Sequence, residues 1–530
     1  MLQEWSILLT AVMMILTFHV KASCQLTSAE IDLLANRALE AFNVAGASVG
    51  VVKDGKVVHA SGYGVRSVET GEPVDEETLF AIASNSKAFT TAALAILVDE
   101  GKLTWEDRVI DHIPEFRMYN DYVTRQFNIV DLLTHRSGLG LGAGDLQIWP
   151  AGSDFTMADL LTNFQHFEPV SPFRTRYDYD NILYAVAGEV IKRVSGQSWE
   201  RFVKERILEP LGMDHSRTLP PSLVNEPNMA AAHLAADGKL KIIPYYELDT
   251  ARINGGAVGV LSCAGDLCRW MLVHLNGGVY GDSDQQVLFS GSAQMEMWRV
   301  HTPMKVRPDP RYNPHFAGYG LGWRLGDLDG RLAVSHTGDI SGMLSKTLMI
   351  PDLDLGIVVL TNSYYGGAGM FRAVSQMIAD SYLGLDPYDW IAHYRERADD
   401  RSMQADKVVQ QVWETTRTGD HGHIRPEDYT GEYEDPWFGS VRIHMKDGGL
   451  WFTSLRSPLL DGHMYHYKAN AFAIRWEARE LDADAFAIFS MDEEGKAVSI
   501  TMKGISPFID FSYDFQDLYF VRAGCARNVP

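Results

Sequence analysis

The sequence predicts an α/β (α+β) chain: strands and helices mix over most of its length, and a small antiparallel β-barrel or sandwich ends it. Three observations lead there. Residues 25–385 alternate β-branched apolar runs, such as 47–52 (Ala-Ser-Val-Gly-Val-Val), with helix-patterned stretches such as 182–194. Residues 386–425 are charged and helix-prone. From Pro426 onward the texture changes to short alternating runs broken by Asp447-Gly448-Gly449 and Glu494-Gly495 turns. With 530 residues, 46% of them apolar, the chain can bury two cores.

Taken in order, residues 5–18 form an apolar stretch of signal-peptide length, too short for a comfortable membrane span, and Ala22-Ser23 offers small residues for cleavage before Cys24. The expectation is a signal peptide over 1–23 and a periplasmic or secreted protein. Glu4 and the lack of Lys or Arg ahead of the run depart from the pattern, and a buried N-terminal helix or a retained anchor is the alternative. Lys21 stands where a lipidation motif wants a leucine-like residue.

Residues 79–83 are an apolar run leading into Ser84-Asn85-Ser86-Lys87. Residues 88–100 (AFTTAALAILVDE) are Ala/Leu-rich, and Gly101 suits a helix stop. Ser-x-x-Lys on a helix places hydroxyl and amine one turn apart on the same face, so a neutral lysine can take the serine proton as a bond to a carbonyl forms. At a helix start, orphan backbone N–H groups favour the developing oxyanion. Read alone, the segment is equally compatible with an N-cap serine beside a solvated lysine.

Residues 140–173, Gly-rich and then aromatic, are expected to shape a pocket. Tyr177-Asp178-Tyr179-Asp180-Asn181 alone reads as a turn with Asp/Asn backbone bonds, and His336-Thr337-Gly338 alone as a strand end entering a turn. Cys263 and Cys268, five apart in a stretch helical from about Asp266, point to different faces; with Cys24 and Cys525 they make no disulfide framework, and buried thiols are expected. His421/His423 and His463/His466 lack the thiolate or carboxylate company of a zinc site, so no metal and no cofactor is expected. A formal charge of −22 argues against nucleic acid and anionic membranes as partners and fits soluble substrates or wall peptides.

In residues 386–425, Trp390, Tyr394 and Trp413 are available to dock a helical connector. The runs 440–444, 450–453, 471–474 and 485–489 are the expected barrel or sandwich strands, their aromatics core rather than a ligand box.

Ser84-Asn85-Ser86-Lys87, Tyr179-Asp180-Asn181 and His336-Thr337-Gly338 stand in an order that resembles the serine β-lactamase and penicillin-binding-protein superfamily. The similarity extends to Glu100-Gly101-Lys102-Leu103, Leu132-Leu133-Thr134-His135-Arg136-Ser137-Gly138-Leu139, Gly318-Tyr319-Gly320-Leu321-Gly322-Trp323, and Pro351-Asp352 followed by 356–362 (Gly-Ile-Val-Val-Leu-Thr-Asn). It points to the class C-like branch of β-lactamase-related serine hydrolases, and Tyr429-Thr430-Gly431-Glu432-Tyr433 resembles the opening of the lipocalin-like domain appended to many of them.

The resemblance implies a β-lactamase-like sandwich over 24–385, an antiparallel sheet flanked by helices plus an all-helical region carrying Tyr179. A helical connector (386–425) and a lipocalin-like barrel (426–530) would follow; from its position after a connector, the barrel is expected to fold separately and to touch the catalytic domain at its surface. It implies Ser84 as nucleophile, Lys87 as its activator, Tyr179 as proton relay once nearby cations lower its pKa, and Asn181 as holder of a substrate amide oxygen. Oxyanion donors would be the backbone N–H groups of Ser84 and of Asp339, which follows Gly338 on an edge strand of the sheet. His135 would brace a loop through a backbone bond, and Asp178 and Asp180 would either tune Tyr179 or lie solvated.

His336 stands where class C β-lactamases carry lysine, to orient Tyr179 or meet a substrate carboxylate. Histidine is mostly neutral near pH 7, so efficient β-lactam hydrolysis is not expected. The implied activity is a peptidase on linear or D-residue-containing peptides, with carboxylesterase or β-lactamase as alternatives and a penicillin-recognising binding protein as the reading from another class. Partners are then a small peptide, ester or β-lactam; the sequence is silent on oligomeric state.

Overall fold

Valines and isoleucines at alternate positions build the centre of the first domain. Val49 and Val51 face one side of the Gly46–Lys53 strand while Val52 faces the other; Ile357 and Val359 oppose Val358 and Leu360 in the same way on Leu355–Thr361. Both strands are buried on both faces, as the interior of a three-layer sandwich requires. In this computed structural model, which describes residues 25–218, 226–236, 238–244, 247–281, 284–340, 342–419 and 424–524, these two strands lie inside an antiparallel eight-stranded sheet. Its order is Thr302–Pro303, Ala317–Tyr319, Arg324–Leu328, Arg331–Ile340, Met343–Ile350, Leu355–Thr361, Gly46–Lys53, Lys56–Gly64. The helices Ser28–Ala41 and Tyr364–Leu383 cover one face, and Ala264–Leu275 packs on the other, ahead of Ser86–Asp99 and the helical region around Ile182–Ser195.

The strand carrying His336 to Asp339 is not an edge strand, contrary to expectation: it lies between Arg324–Leu328 and Met343–Ile350. Its pairing with Arg324–Leu328 stops at Ser335, however, so residues 336–340 pair on one side only and leave the other side open to the turn bearing Ser84. The free edge is local.

Cys263 and Cys268 are free, buried thiols, and burial pushes both up to about 12. Cys24, Cys525, His421, His423 and the expected signal peptide lie outside the described residues. Among the described residues no helix is long and apolar enough to cross a membrane.

A 29-residue helix, Trp390–Thr418, leads to the C-terminal part. Trp390 anchors it by donating to Asp380 Oδ2 (2.8 Å), and near its far end Trp413 lies edge-on to Tyr465 (5.6 Å between centroids). Eight antiparallel strands from Gly431–Asp435 to Tyr519–Arg522 then close a barrel. Tyr433, Phe452, Trp476, Phe489 and Phe520 fill its interior, as a barrel of this size permits.

The barrel does more than touch the first domain at its surface, and here the expectation fails. Trp437 packs on Phe167 (4.7 Å) and Phe438 on Phe155 (5.9 Å), and Arg456 reaches Asp154 (2.6 Å) and Asp159 (3.2 Å). The segment between the strands Ala497–Gly504 and Tyr519–Arg522 enters the first domain: Asp514 accepts from the backbone N–H groups of Gly144 (2.7 Å) and Leu146 (2.9 Å). Gly142 has φ of 75°, and a Cβ there would lie 2.4 Å from the carbonyl oxygen of Phe511. Replacing Asp514 by alanine leaves two buried donors without an acceptor, at about 1–3 kcal/mol each. A clearly lowered melting temperature, partly restored in Asp514→Asn, is expected by calorimetry.

Candidate active site

The apolar run before Ser84 ends in Ala83, whose φ of 47° places it in the left-handed region, tolerable for the smallest Cβ. A single 3₁₀ turn, Ala83–Asn85, then feeds the Ser86–Asp99 helix. Ser84 is thereby turned out toward a cleft and Lys87 inward beneath it. Gly338 allows the strand to reach this turn: a Cβ on it would lie 2.1 Å from the carbonyl oxygen of Ile82 and 2.5 Å from Ser345 Oγ. Ser345 Oγ itself donates to Ile82 O (2.7 Å) and accepts from Asn85 Nδ2 (2.8 Å), tying strand and turn together. Ser84 and Asp339 consequently line the same cleft.

Lys87 is fully buried. Its ammonium nitrogen donates to Ser84 Oγ (3.0 Å), Asn181 Oδ1 (2.7 Å) and Ala257 O (3.3 Å). Burial lowers the Lys87 amine to about 7; the carboxylates of Asp145 and Asp180 pull against this and the guanidinium of Arg324 adds to it. Asn181 donates to Asp145 Oδ2 (2.7 Å) while accepting from Lys87, so its side chain helps to hold the lysine at the cleft wall. Burial pushes Asp180 up to about 7 and Asp145 well above the usual carboxylate range. Asp180 is thus neither solvated nor in contact with solvent: its carboxylate accepts from the Leu183 N–H (3.2 Å) at the start of the Ile182–Ser195 helix. Asp178 pairs with Arg176 (3.1 Å).

Tyr179, 6% exposed, sits against this pair, with Lys87 Nζ 4.9 Å from its ring centroid. Burial raises its phenol well above the ordinary range; a hydrogen bond with Ser84 and the charge of Arg324 only oppose this. The expected lowering of the phenol is therefore overturned. Lys87 is the group whose proton affinity falls near neutrality. His135 braces the Tyr179 turn as expected, its Nδ1 accepting from the Asp180 N–H (3.1 Å) and its ring 4.1 Å from that of Tyr179.

His336 is 1% exposed. Its Nδ1 lies 2.7 Å from the carbonyl oxygen of Thr337, which can only accept, so Nδ1 carries the proton and Nε2 accepts from the Tyr319 hydroxyl (2.9 Å). Burial holds the imidazole well below its ordinary pKa, with the charges of Arg324 and Lys87 acting the same way. A neutral ring with both nitrogens engaged offers no cation to a carboxylate. It bonds Tyr319 rather than Tyr179, whose ring centroid is 6.2 Å away.

The cleft, about 860 Å³, contains Ser84, Tyr179, Asn181, His336 and Asp339 in its walls. Sequence reasoning missed other members. Arg324 follows the Gly318–Trp323 motif directly, and its guanidinium carbon is 5.7 Å from the ring centroids of both Tyr177 and Tyr179. Asp145, inside the stretch expected to shape the pocket, is fully buried and acts on the cleft through its bond to Asn181. Asp510, Phe511 and Ser512 come from the barrel side, with Phe511 edge-on to Tyr179 at 5.6 Å.

The chain is similar to several known proteins. The chain is 30% identical over 321 residues to penicillin-binding protein 4 of Amycolatopsis lactamdurans, covering 60% of this chain and 81% of that protein. It is 26% identical over 377 residues to the unguisins hydrolase ungD of Aspergillus violaceofuscus, covering 68% of this chain and 66% of that protein, a little under two thirds of its length. The octameric penicillin-binding protein homologue from Pyrococcus abyssi shares the fold, with a TM-score of 0.57 at 20% identity over 93% of this chain and 99% of that one. Residues 425–522 match a domain of unknown function (DUF3471). Residues 33–377, which hold every group from Ser84 to Asp339, match the Beta-lactamase family over well more than half of the chain, and the protein belongs to that family of serine hydrolases.

Proposed function

We propose that the protein is a serine peptidase that cleaves amide bonds of linear or D-residue-containing peptides through an acyl-enzyme on Ser84. The observation that carries this is the 3.0 Å contact between Ser84 Oγ and a lysine amine that burial holds near 7, so that a neutral amine is available at physiological pH. In this reading Lys87 takes the Ser84 proton as Oγ bonds to the substrate carbonyl carbon. The backbone N–H groups of Ser84 and Asp339 receive the oxyanion. Tyr179, kept protonated by burial, gives its proton to the departing nitrogen and regains one from the Lys87 ammonium. Water then attacks the ester, with the same groups serving in reverse. The cleft volume suits a short peptide, and relatives named as a hydrolase and as a penicillin-binding protein support the chemistry without choosing the substrate. The apolar N-terminal stretch extends the proposal to an exported enzyme.

A fluorophosphonate probe with mass mapping tests the assignment: label on Ser84 is expected, and label on a different serine, or none, overturns it. The pH profile tests the amine. Below about 7 Lys87 is charged and cannot accept a proton, so kcat/KM on a neutral ester should fall about tenfold per pH unit on the acid side and level off above. Asp180, also near 7, couples to this limb, which therefore belongs to the pair. A profile flat from pH 5 to 9 rules out the buried amine as base.

A further inference from the structure

We propose that Met343 is a positioning residue for the nucleophile, its thioether holding the strand that delivers Ser84, an inference that rests on the Ser84 reading and deepens it. That strand, Phe80–Ala81, is the edge of a three-stranded sheet with Val260–Ser262 and Arg217–Thr218. Successive N–H groups along a strand point to opposite sides, and Ile82 donates to Val260 O (3.1 Å), so the N–H of Ala81 points away from its partner strand. On that open side Leu79 is served by other backbone: it donates to Asn228 O (2.8 Å) and accepts from Ala230 N (2.9 Å). The acceptor that meets Ala81 is a sulfur atom, Met343 Sδ, 3.2 Å from its nitrogen. Both residues are buried, and a buried backbone N–H needs a partner.

Met343 and Ser345 stand two apart on the Met343–Ile350 strand and therefore face the same side of the sheet. Both reach the segment around Ser84: Met343 takes the N–H of Ala81, while Ser345 takes the amide of Asn85 and gives its own proton to Ile82 O. Ala83, with its φ of 47°, lies between these contacts. A residue in that region persists only where the chain on both sides of it is fixed. Ser345 and Val260 fix Ile82, Ser345 fixes Asn85, and Met343 fixes the strand one residue further back. A thioether is a weak acceptor, but its unbranched, adaptable side chain reaches where a β-branched one would not. With the sulfur gone, the Ala81 N–H is left unpaired, the strand shifts toward another partner, and Ala83 is free to relax. Ser84 then turns with it, so that both its hydroxyl above Lys87 and its backbone N–H lose their aim. Met343 lies behind the cleft wall rather than in it, so the effect falls on the chemical step and not on substrate capture.

The test removes the bond from each end. Met343→Leu keeps most of the volume but has no acceptor. Incorporating lactic acid in place of Ala81 by nonsense suppression turns that amide into an ester, which deletes the donor and leaves every side chain unchanged. Each change should slow single-turnover labelling of Ser84 by a fluorophosphonate roughly tenfold, with kcat on a neutral ester falling by the same factor and KM moving by less than about twofold. Rates are taken well below the melting temperature of each protein, where a loss of stability alone does not alter them. In the lactic-acid protein, Met343→Leu should add little, because the bond it would break is already absent. Labelling at the wild-type rate by either folded variant overturns the inference, and so does a further tenfold loss from Met343→Leu in the lactic-acid protein. If Met343→Leu does not fold, the lactic-acid protein decides alone. Absence of label on Ser84 in the wild type would strike the functional reading itself, whereas normal wild-type labelling that survives both changes strikes only the role of Met343.

Discussion

Replacing Ser84 by alanine is expected to abolish covalent labelling and to lower kcat on any ester or peptide substrate by about five orders of magnitude or more, with the fold unchanged. The side chain leaves a half-exposed position at the cleft and one hydrogen bond from Lys87, so little packing is lost. Lys87→Met should be nearly as damaging to activity, because without the amine the hydroxyl is a poor nucleophile, while methionine fills most of the volume at a position with no solvent access. The double variant should be no worse than either single one, since the two groups act as a unit. Intact mass after fluorophosphonate treatment, single-turnover kinetics and circular dichroism measure these three statements. Substantial labelling or turnover in Ser84→Ala would remove Ser84 from the mechanism.

What made Ser84 and Lys87 visible in the sequence is that their geometry is local. A spacing of three on a helix fixes the relation of hydroxyl to amine wherever the helix lies, and the Ala/Leu-rich stretch behind them announces that helix. Tyr179 was legible through the order of the motifs, and the two cores through the change from helical to alternating texture near Pro426. Asp145 was not, because one carboxylate in a glycine-rich loop has no spacing to distinguish it. Its importance arises only when the fold places it 2.7 Å from Asn181 Nδ2.

His336 shows the same limit from the other side. The residue was found, but its role depends on facts no spacing contains: which atom its Nδ1 meets, and that Tyr319, seventeen positions earlier, turns its hydroxyl onto Nε2. The histidine is therefore a neutral part of an aromatic and hydrogen-bonded wall, and Arg324 is a cation set against its tyrosines. Whether a strand residue faces the cleft or the opposite layer follows from register, and the register of Arg324–Leu328 against Arg331–Ile340 was not readable from the chain. Local pairing also reconciles the expected edge strand with the observed interior one, since only residues 336–340 lack a second neighbour.

Removing the barrel is expected to disable the first domain rather than merely shorten the chain. A protein ending near residue 424 loses Asp514 and with it the acceptor for the N–H groups of Gly144 and Leu146, in the loop that also positions Asp145. It loses Trp437 and Phe438, which cover Phe167 and Phe155, and it loses Phe511, which forms the wall beside Tyr179. Two orphaned donors cost about 1–3 kcal/mol each, comparable to much of the net stability of an ordinary domain. Even where the shortened protein stays soluble, the loop holding Asp145 would shift, and a displacement of about 1 Å at a site that depends on alignment can cost a hundredfold in rate. The expectation is therefore poor solubility, or soluble protein whose Ser84 labels about a hundredfold more slowly, with recovery when residues 424–530 are supplied as a separate chain. Labelling at the full rate by a soluble shortened protein would show that the barrel sits beside the site without supporting it.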